Sequence, residues 1–167
     1  QVLAARKPDL SFVPASMTKV MTAYVAFEEM AANRLPASRM FTVSDATARQ
    51  WRGAGTSLDL AAGQKLTADT LLHGISTRRP RSLRARDLVP LAGAMRARPP
   101  RLSRRYFGQK RMSWNGRVLR SHDPTVGVVP GADGIKTGHT NEAGFNFLGS
   151  ARRGERRLVM VIAGAKS

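Results

Sequence analysis

Leu158-Val159-Met160-Val161-Ile162-Ala163 is an unbroken apolar run of strand length, and its reading decides the fold. An unbroken run predicts a strand buried on both faces, inside a sheet covered by helices. A charged turn from Arg152 to Arg156 precedes it, and Phe145 to Gly149 reads as the strand before that turn. Gly131 to Gly134 reads as a turn, and Asn115-Gly116 as the tip of a hairpin. Helices belong to the first part of the chain. Val20, Tyr24, Phe27 and Met30 recur at spacings of four and three behind Pro14, which predicts one apolar helix face ending at Asn33-Arg34-Leu35-Pro36. Thr67 is placed to cap a helix through Leu72, and residues 40–44 read as a short strand. Residues 1–12 read as extended, with a turn near Lys7-Pro8-Asp9. The expected architecture is α/β, a mostly antiparallel sheet packed with helices, in a single domain over residues 1–167.

Charge singles out one segment. The chain has a net charge of +17, and residues 78–120 hold thirteen arginines and Lys110 against Asp87 as the sole acid. Within it, residues 78–111 form an atypical Arg-rich segment. Such a block attracts polyanions, but like-charge runs are usually solvated, and a solvated or disordered stretch is the plainer expectation. One helical stretch is expected around Leu88 to Met95, weakened by Pro90. Tyr106, Phe107 and Trp114 are too few aromatics to suggest a stacking platform for nucleic acid. The chain contains no cysteine, which excludes disulfides and cysteine metal sites without fixing a compartment. No apolar run reaches the roughly 18 residues that span a membrane. The chain opens on Gln1 rather than methionine, which points to a processed or cut start, so the lack of a leader says nothing about export.

Two short motifs carry chemistry. Ser16-Met17-Thr18-Lys19 opens the first helix, and Lys136-Thr137-Gly138 enters a strand. A serine hydroxyl needs an adjacent base to become a nucleophile. Residues three apart share a helix face, so a neutral Lys19 could take the Ser16 proton. Burial and a second cation both lower a lysine pKa, and Lys136 is the candidate second cation. Chance gives roughly 0.4 copies of S-x-x-K but only ~0.04 of K-T-G in a chain of this composition. Taken singly, Ser16 reads as a helix cap, Lys19 as a solvated residue and Lys136-Thr137-Gly138 as a polar turn. Both motifs in order reverse that reading.

At these residues the sequence resembles the low-molecular-mass penicillin-binding proteins, the serine D-Ala-D-Ala carboxypeptidases. Pro14 to Glu28 (P-A-S-M-T-K-V-M-T-A-Y-V-A-F-E) and Gly131 to Gly144 (G-A-D-G-I-K-T-G-H-T-N-E-A-G) carry the resemblance. Gly55-Thr56-Ser57, Leu71-Leu72-His73-Gly74 and Trp114-Asn115-Gly116 extend it. The resemblance implies a β-lactamase/transpeptidase-like fold and an acyl-enzyme on Ser16 with Lys19 as base. It implies that Lys136 and Thr137, with Gly138 between them and the oxyanion site, bind the terminal carboxylate. The Ser16 and His139 amides would hold the oxyanion, and Arg157 would help with the carboxylate. The implied partners are a peptidoglycan stem peptide ending in D-Ala-D-Ala and β-lactam antibiotics, without cofactor, metal or specific nucleic acid. The implied location is exported, in the periplasm or on the outer face of the cytoplasmic membrane, with any membrane association through a segment beyond Ser167.

The sequence departs from the family in one place. A third motif, S-x-N, is expected in a helical region after His73-Gly74, where the chain instead reads Ile75-Ser76-Thr77-Arg78-Arg79-Pro80. Ser113-Trp114-Asn115 matches the letters but falls in the expected hairpin, so it is a decoy. The helical subdomain is largely missing and the domain incomplete, which predicts impaired or absent turnover. Two other readings remain: a β-lactamase-like hydrolase on the same scaffold, and a non-catalytic basic module that binds an anionic polymer.

Overall fold

The computed structural model describes residues 1–53, 60–74, 83–97, 100–114 and 116–166. The first part of the chain holds β1 (Ser11–Phe12), a 3-10 turn (Ala15–Thr18), α1 (Lys19–Ala31), β2 (Met40–Thr42), α2 (Asp45–Trp51), β3 (Lys65–Thr67) and α3 (Ala68–His73). Then come β4 (Leu83–Arg84), α4 (Ala85–Ala97), α5 (Pro100–Phe107), and the hairpin of β5 (Arg111–Trp114) and β6 (Arg117–Arg120). The chain closes with β7 (Ala132–Thr140), β8 (Gly144–Arg153) and β9 (Arg156–Ala165), an antiparallel sheet in that order.

Local signals place most of these elements as expected. α1 buries Val20 and Phe27 completely, with Tyr24 and Met30 packed beside them. The Thr67 hydroxyl caps α3 by accepting from the Thr70 amide at 3.1 Å. The hairpin sets Trp114 opposite Arg117, with Gly116 at φ 72° near its tip. Residues 131–134 differ slightly from expectation: they enter β7 through a bulge between Ala132 and Gly134. Gly134 has φ 80°, and a Cβ there would lie 2.4 Å from the Phe107 carbonyl oxygen, so glycine is what lets α5 end against the sheet.

The core forms where α1 and α4 cover one face of the sheet. Met17, Val20 and Phe27 meet Leu88, Ala92 and Met95 over Ile135 and Leu148. The apolar run that suggested a doubly buried strand belongs to β9, which is an edge strand. Val159 and Val161 turn toward the core. Leu158, Met160 and Ile162 are 57%, 49% and 41% exposed on the other side. Helices pack against only one face among the described residues. An apolar run cannot tell a covered second face from an uncovered one, so the sequence reading overestimated burial.

The arginine-rich segment also differs from expectation. Its described part folds into two helices, α4 and α5. α4 continues through Pro90. A helix-interior proline costs about 3 kcal/mol. Burying Leu88 and Met95 contributes about 1.5–3 kcal/mol for each side chain, which offsets that cost. α5 anchors through aromatic contacts: the Tyr106 ring stacks 5.5 Å from Phe27, and Phe107 meets Phe27 edge-on at 6.2 Å. Arg96 is itself buried. Its Nη2 donates to the carbonyls of Asp133 at 2.6 Å and Gly134 at 3.1 Å, tying α4 to β7.

Among the described residues no helix is long and apolar enough to cross a membrane. No three His, Asp or Glu side chains among them gather where they could hold a metal ion.

Candidate active site

The nucleophile candidate sits on a tight turn. Ala15 adopts φ 46°, which costs a residue bearing a Cβ on the order of 1 kcal/mol. The Met17 amide closes the turn on the Pro14 carbonyl at 2.9 Å. The Thr18 hydroxyl donates to the Ala15 carbonyl at 3.1 Å. In a 3-10 turn residues i and i+3 eclipse, so Lys19 stands over Ser16 more directly than an α-helix would set it. Ala15, Met17, Thr18 and Lys19 are buried, and Ser16 alone of the five is half exposed. No side chain caps this turn or α1, so Ser16 is not a helix cap.

The second motif lies against the first. A Cβ on Gly138 would come within 3.1 Å of both the Pro14 carbonyl oxygen and the Ser16 amide nitrogen, and 3.3 Å of the Ala15 Cβ. β7 therefore packs on the Ser16 turn at van der Waals distance, and a Cβ at position 138 would force its neighbours to give by a few tenths of an ångström. The contact sets Thr137 and Lys136 on the wall that Lys19 shares. Lys136 donates from Nζ to its neighbour's carbonyl, Thr137 O, at 2.6 Å.

Both lysines are lowered, and the charge of Lys19 acts on Lys136. Burial, then the Lys19 charge, bring Lys136 down from the ordinary lysine range to about 8, against an opposing pull from Asp123. Burial also lowers Lys19. The expected roles are thus partly inverted: the stronger shift falls on Lys136, the residue taken as the perturbing cation. A lowered Lys19 is what a base for Ser16 requires.

A cavity of about 450 Å³ opens beside this wall. Lys19, Lys136 and Thr137 line it on the sheet side, His73 and Tyr106 at its back, and Arg111 and Arg120 of the hairpin across from them. Ser16 is not part of the wall. Asp123 also lines it, accepting at Oδ1 from the Thr125 amide and hydroxyl at 2.8 and 2.6 Å and from the Val126 amide at 3.1 Å. Tyr106 donates to Asp69 at 2.6 Å; burial first, and then this bond, push the phenol up to about 12, and its ring lies 4.6 Å from His73. Burial lowers His73, so this imidazole favours its neutral form.

Two predicted residues stand apart. Arg157 is held by partners of its own. Its Nη1 donates to Asp133 Oδ2 at 2.8 Å and to Ser150 Oγ at 3.1 Å, at the entrance of β7. Asp133 precedes Lys136 by three residues, roughly 10 Å along a strand. Asp133 holds the guanidinium there, so Arg157 ties β9 to β7. His139 is exposed, with its ring tilted against Phe145 at 4.2 Å. Ser113 lies on β5 of the hairpin, as its reading as a decoy required. Asn115, Ser76 and Gly55-Thr56-Ser57 fall outside the described residues.

A profile of the D-alanyl-D-alanine carboxypeptidases matches residues 1–82 and 73–167. The chain belongs to this family. It is similar to the D-alanyl-D-alanine carboxypeptidase DacD of Salmonella typhimurium, 40% identical over 88 residues that cover 50% of this chain and 21% of that protein. It is also similar to DacA of Escherichia coli, 24% identical with 100% of this chain and 54% of that protein covered. Penicillin binding protein 6B from Escherichia coli superposes with a TM-score of 0.88 at 25% identity, covering 100% of this chain and 68% of that structure. The chain thus spans about half or less of the curated carboxypeptidases it matches. The DacA alignment runs 218 positions against the 167 residues here, a difference of 51. The carboxypeptidase profile breaks into its two matches at residues 73–82, where the S-x-N region is expected.

The motifs alone did not give the far wall of the cavity. Asp123 could have been suspected from Asp123-Pro124-Thr125, a turn initiator that folds its carboxylate onto following amides. Nothing in the sequence marks Tyr106, because only the packing of α5 on α1 brings it to the cavity.

Proposed function

We propose that this chain is a serine D-Ala-D-Ala carboxypeptidase domain that acts on peptidoglycan stem peptides through an acyl-enzyme on Ser16, with impaired turnover. The close packing of Gly138 on the Ser16 turn carries the reading, because it brings nucleophile, base and carboxylate-binding residues to one place. Lys19 takes the hydroxyl proton as Ser16 Oγ attacks the carbonyl between the two D-alanines. The Ser16 and His139 amides hold the oxyanion. The C–N bond breaks, the amine of the terminal D-alanine takes the proton from Lys19, and D-alanine leaves. Water then attacks the Ser16 ester, restoring the hydroxyl and freeing the shortened peptide. Lys136 in its charged form and Thr137 bind the terminal carboxylate. β-Lactams, which mimic D-Ala-D-Ala, acylate the same serine.

Impairment follows from the missing motif. The only S-x-N in the chain is Ser113-Trp114-Asn115, on the hairpin. Acyl-transfer residues act as a unit, so losing one partner removes most of the rate. Such a domain works outside the cytoplasmic membrane, where stem peptides are exposed, and any membrane association comes through a segment beyond Ser167. A fluorescent penicillin, followed by a denaturing gel with Ser16→Ala as control, tests the chemistry. A covalent band that the variant lacks supports it, and a folded protein without that band refutes it. Steady release of D-alanine from a dipeptide-ended substrate refutes the impairment.

A basic module that binds an anionic polymer is favoured only by the +17 charge. It predicts polymer binding that falls steeply with salt and no penicillin label. A β-lactamase-like hydrolase needs a group that activates the deacylating water. Among the described residues the one acid on the cavity wall, Asp123, has Oδ1 committed to its own turn.

A further inference from the structure

We propose that the hairpin wall of the cavity is an anion subsite that selects stem peptides bearing a free side-chain carboxylate upstream of the two D-alanines. The proposal rests on the carboxypeptidase reading and goes beyond it, because the terminal carboxylate belongs to Lys136 and Thr137 on the opposite wall.

Three observations carry it. First, Arg111 and Arg120 are direct cross-strand partners, so both project from the same face of the hairpin. Like charges placed opposite each other destabilise a strand pair, and a ligand carboxylate between them relieves that repulsion. Second, neither arginine forms an ion pair among the described residues, nor does Lys110 or Arg117 on the same hairpin. Both arginines contribute to the cavity wall while remaining exposed to solvent. Third, the one acid of the cavity pairs with neither of them. Asp123 is that acid; its Oδ1 serves Thr125 and Val126, and its charge acts on Lys136. Asp123 Oδ2 is buried without a partner. A cleft lined by one sign of charge concentrates ligands of the other. Guanidinium groups match carboxylate geometry with two parallel hydrogen bonds.

The test uses two synthetic peptides that end in D-Ala-D-Ala and differ only in an upstream side chain, carboxylate in one and carboxamide in the other. Calorimetric titration into the full chain at low salt measures each affinity. The carboxylate peptide is expected to bind about tenfold more tightly, the yield of one charge-assisted contact, with the ratio narrowing as salt rises. In Arg111→Gln/Arg120→Gln the ratio should fall to about one. A melting temperature no lower than that of the unmodified chain shows that the double variant has folded. Equal affinities in the unmodified chain, a preference that survives the double substitution, or no binding of either peptide overturns the subsite. Penicillin labelling of Ser16 is read in parallel. Labelling without a preference leaves the carboxypeptidase reading standing and removes the subsite, whereas a preference without labelling does the reverse.

Discussion

Gly138→Ala replaces a hydrogen by a methyl group where β7 meets the Ser16 turn, and its effect follows from distances. The new methyl would lie 3.1 Å from the Pro14 oxygen and the Ser16 nitrogen, and 3.3 Å from the Ala15 Cβ. Each is a few tenths of an ångström inside ordinary van der Waals contact. The strand cannot move away freely, because Gly138 is held in register opposite Asn146 and the neighbouring pairs run the length of β8. The turn must therefore shift, and the turn carries Ser16. Overpacking of this size costs about 1 kcal/mol of stability. A displacement approaching 1 Å of a reacting group costs roughly 100-fold in rate, so a shift of a few tenths should slow acylation about tenfold. The assay is the rate of fluorescent-penicillin labelling, with melting measured on the same samples. Gly93→Ala is the matched control: it lies on α4 with open space where the Cβ would go. It should leave labelling unchanged and add about 0.5–1 kcal/mol of stability. If Gly138→Ala labels as fast as the unmodified chain, β7 does not position Ser16 and the site argument fails.

Lys136→Met tests the buried cation through stability. The folded pKa of about 8 lies below the ordinary lysine value of 10.5, so between those pH values the unfolded chain binds a proton that the folded chain does not. Stability contributed by Lys136 therefore rises with pH from about 8, and the difference between variant and parent in urea melts should shrink over pH 8–10. A difference that stays constant with pH refutes the burial. Asp133→Asn removes the counter-charge from Arg96, whose side chain is 3% exposed, and from Arg157. It should cost about 3 kcal/mol in the same melts, and a loss near zero would show that Asp133 is not the clasp. Arg157→Gln should cost less, about 1 kcal/mol, because Arg157 is more exposed. It should leave penicillin labelling intact, and slowed labelling in a stable variant would return Arg157 to the carboxylate. Phe27→Ala should lose about 3–5 kcal/mol, since the ring is fully buried between Tyr106 and Phe107. Cooperative melting near the parent temperature would disprove that α5 is anchored there.

What was legible in the sequence is what short-range chemistry writes. Val20, Tyr24, Phe27 and Met30 declare a helix face because 3.6-residue periodicity needs no partner to be visible. Thr67 declares a cap, and Asn115-Gly116 a hairpin. Ser16 and Lys19 declare each other through their spacing, while Lys136-Thr137-Gly138 needed the resemblance to gain a role. What was not legible depends on which surfaces meet. Leu158 to Ala163 is uniformly apolar, so only the edge position of β9 reveals that its alternate side chains are exposed. The thirteen arginines looked like a solvated run because charge counting ignores the residues between them. Leu88, Ala92 and Met95 recur at spacings of four and three in that block, and Tyr106 and Phe107 follow. These five side chains fasten α4 and α5 to α1. Once the helices are fixed, the arginines take unlike roles. Arg96 is pulled inside to clasp β7, while Arg111 and Arg120, one hairpin further on, line a cavity without an ion-pair partner among the described residues. The same block thus supplies a structural tie and a candidate binding wall, and the distribution of apolar residues between the charges is what separates the two.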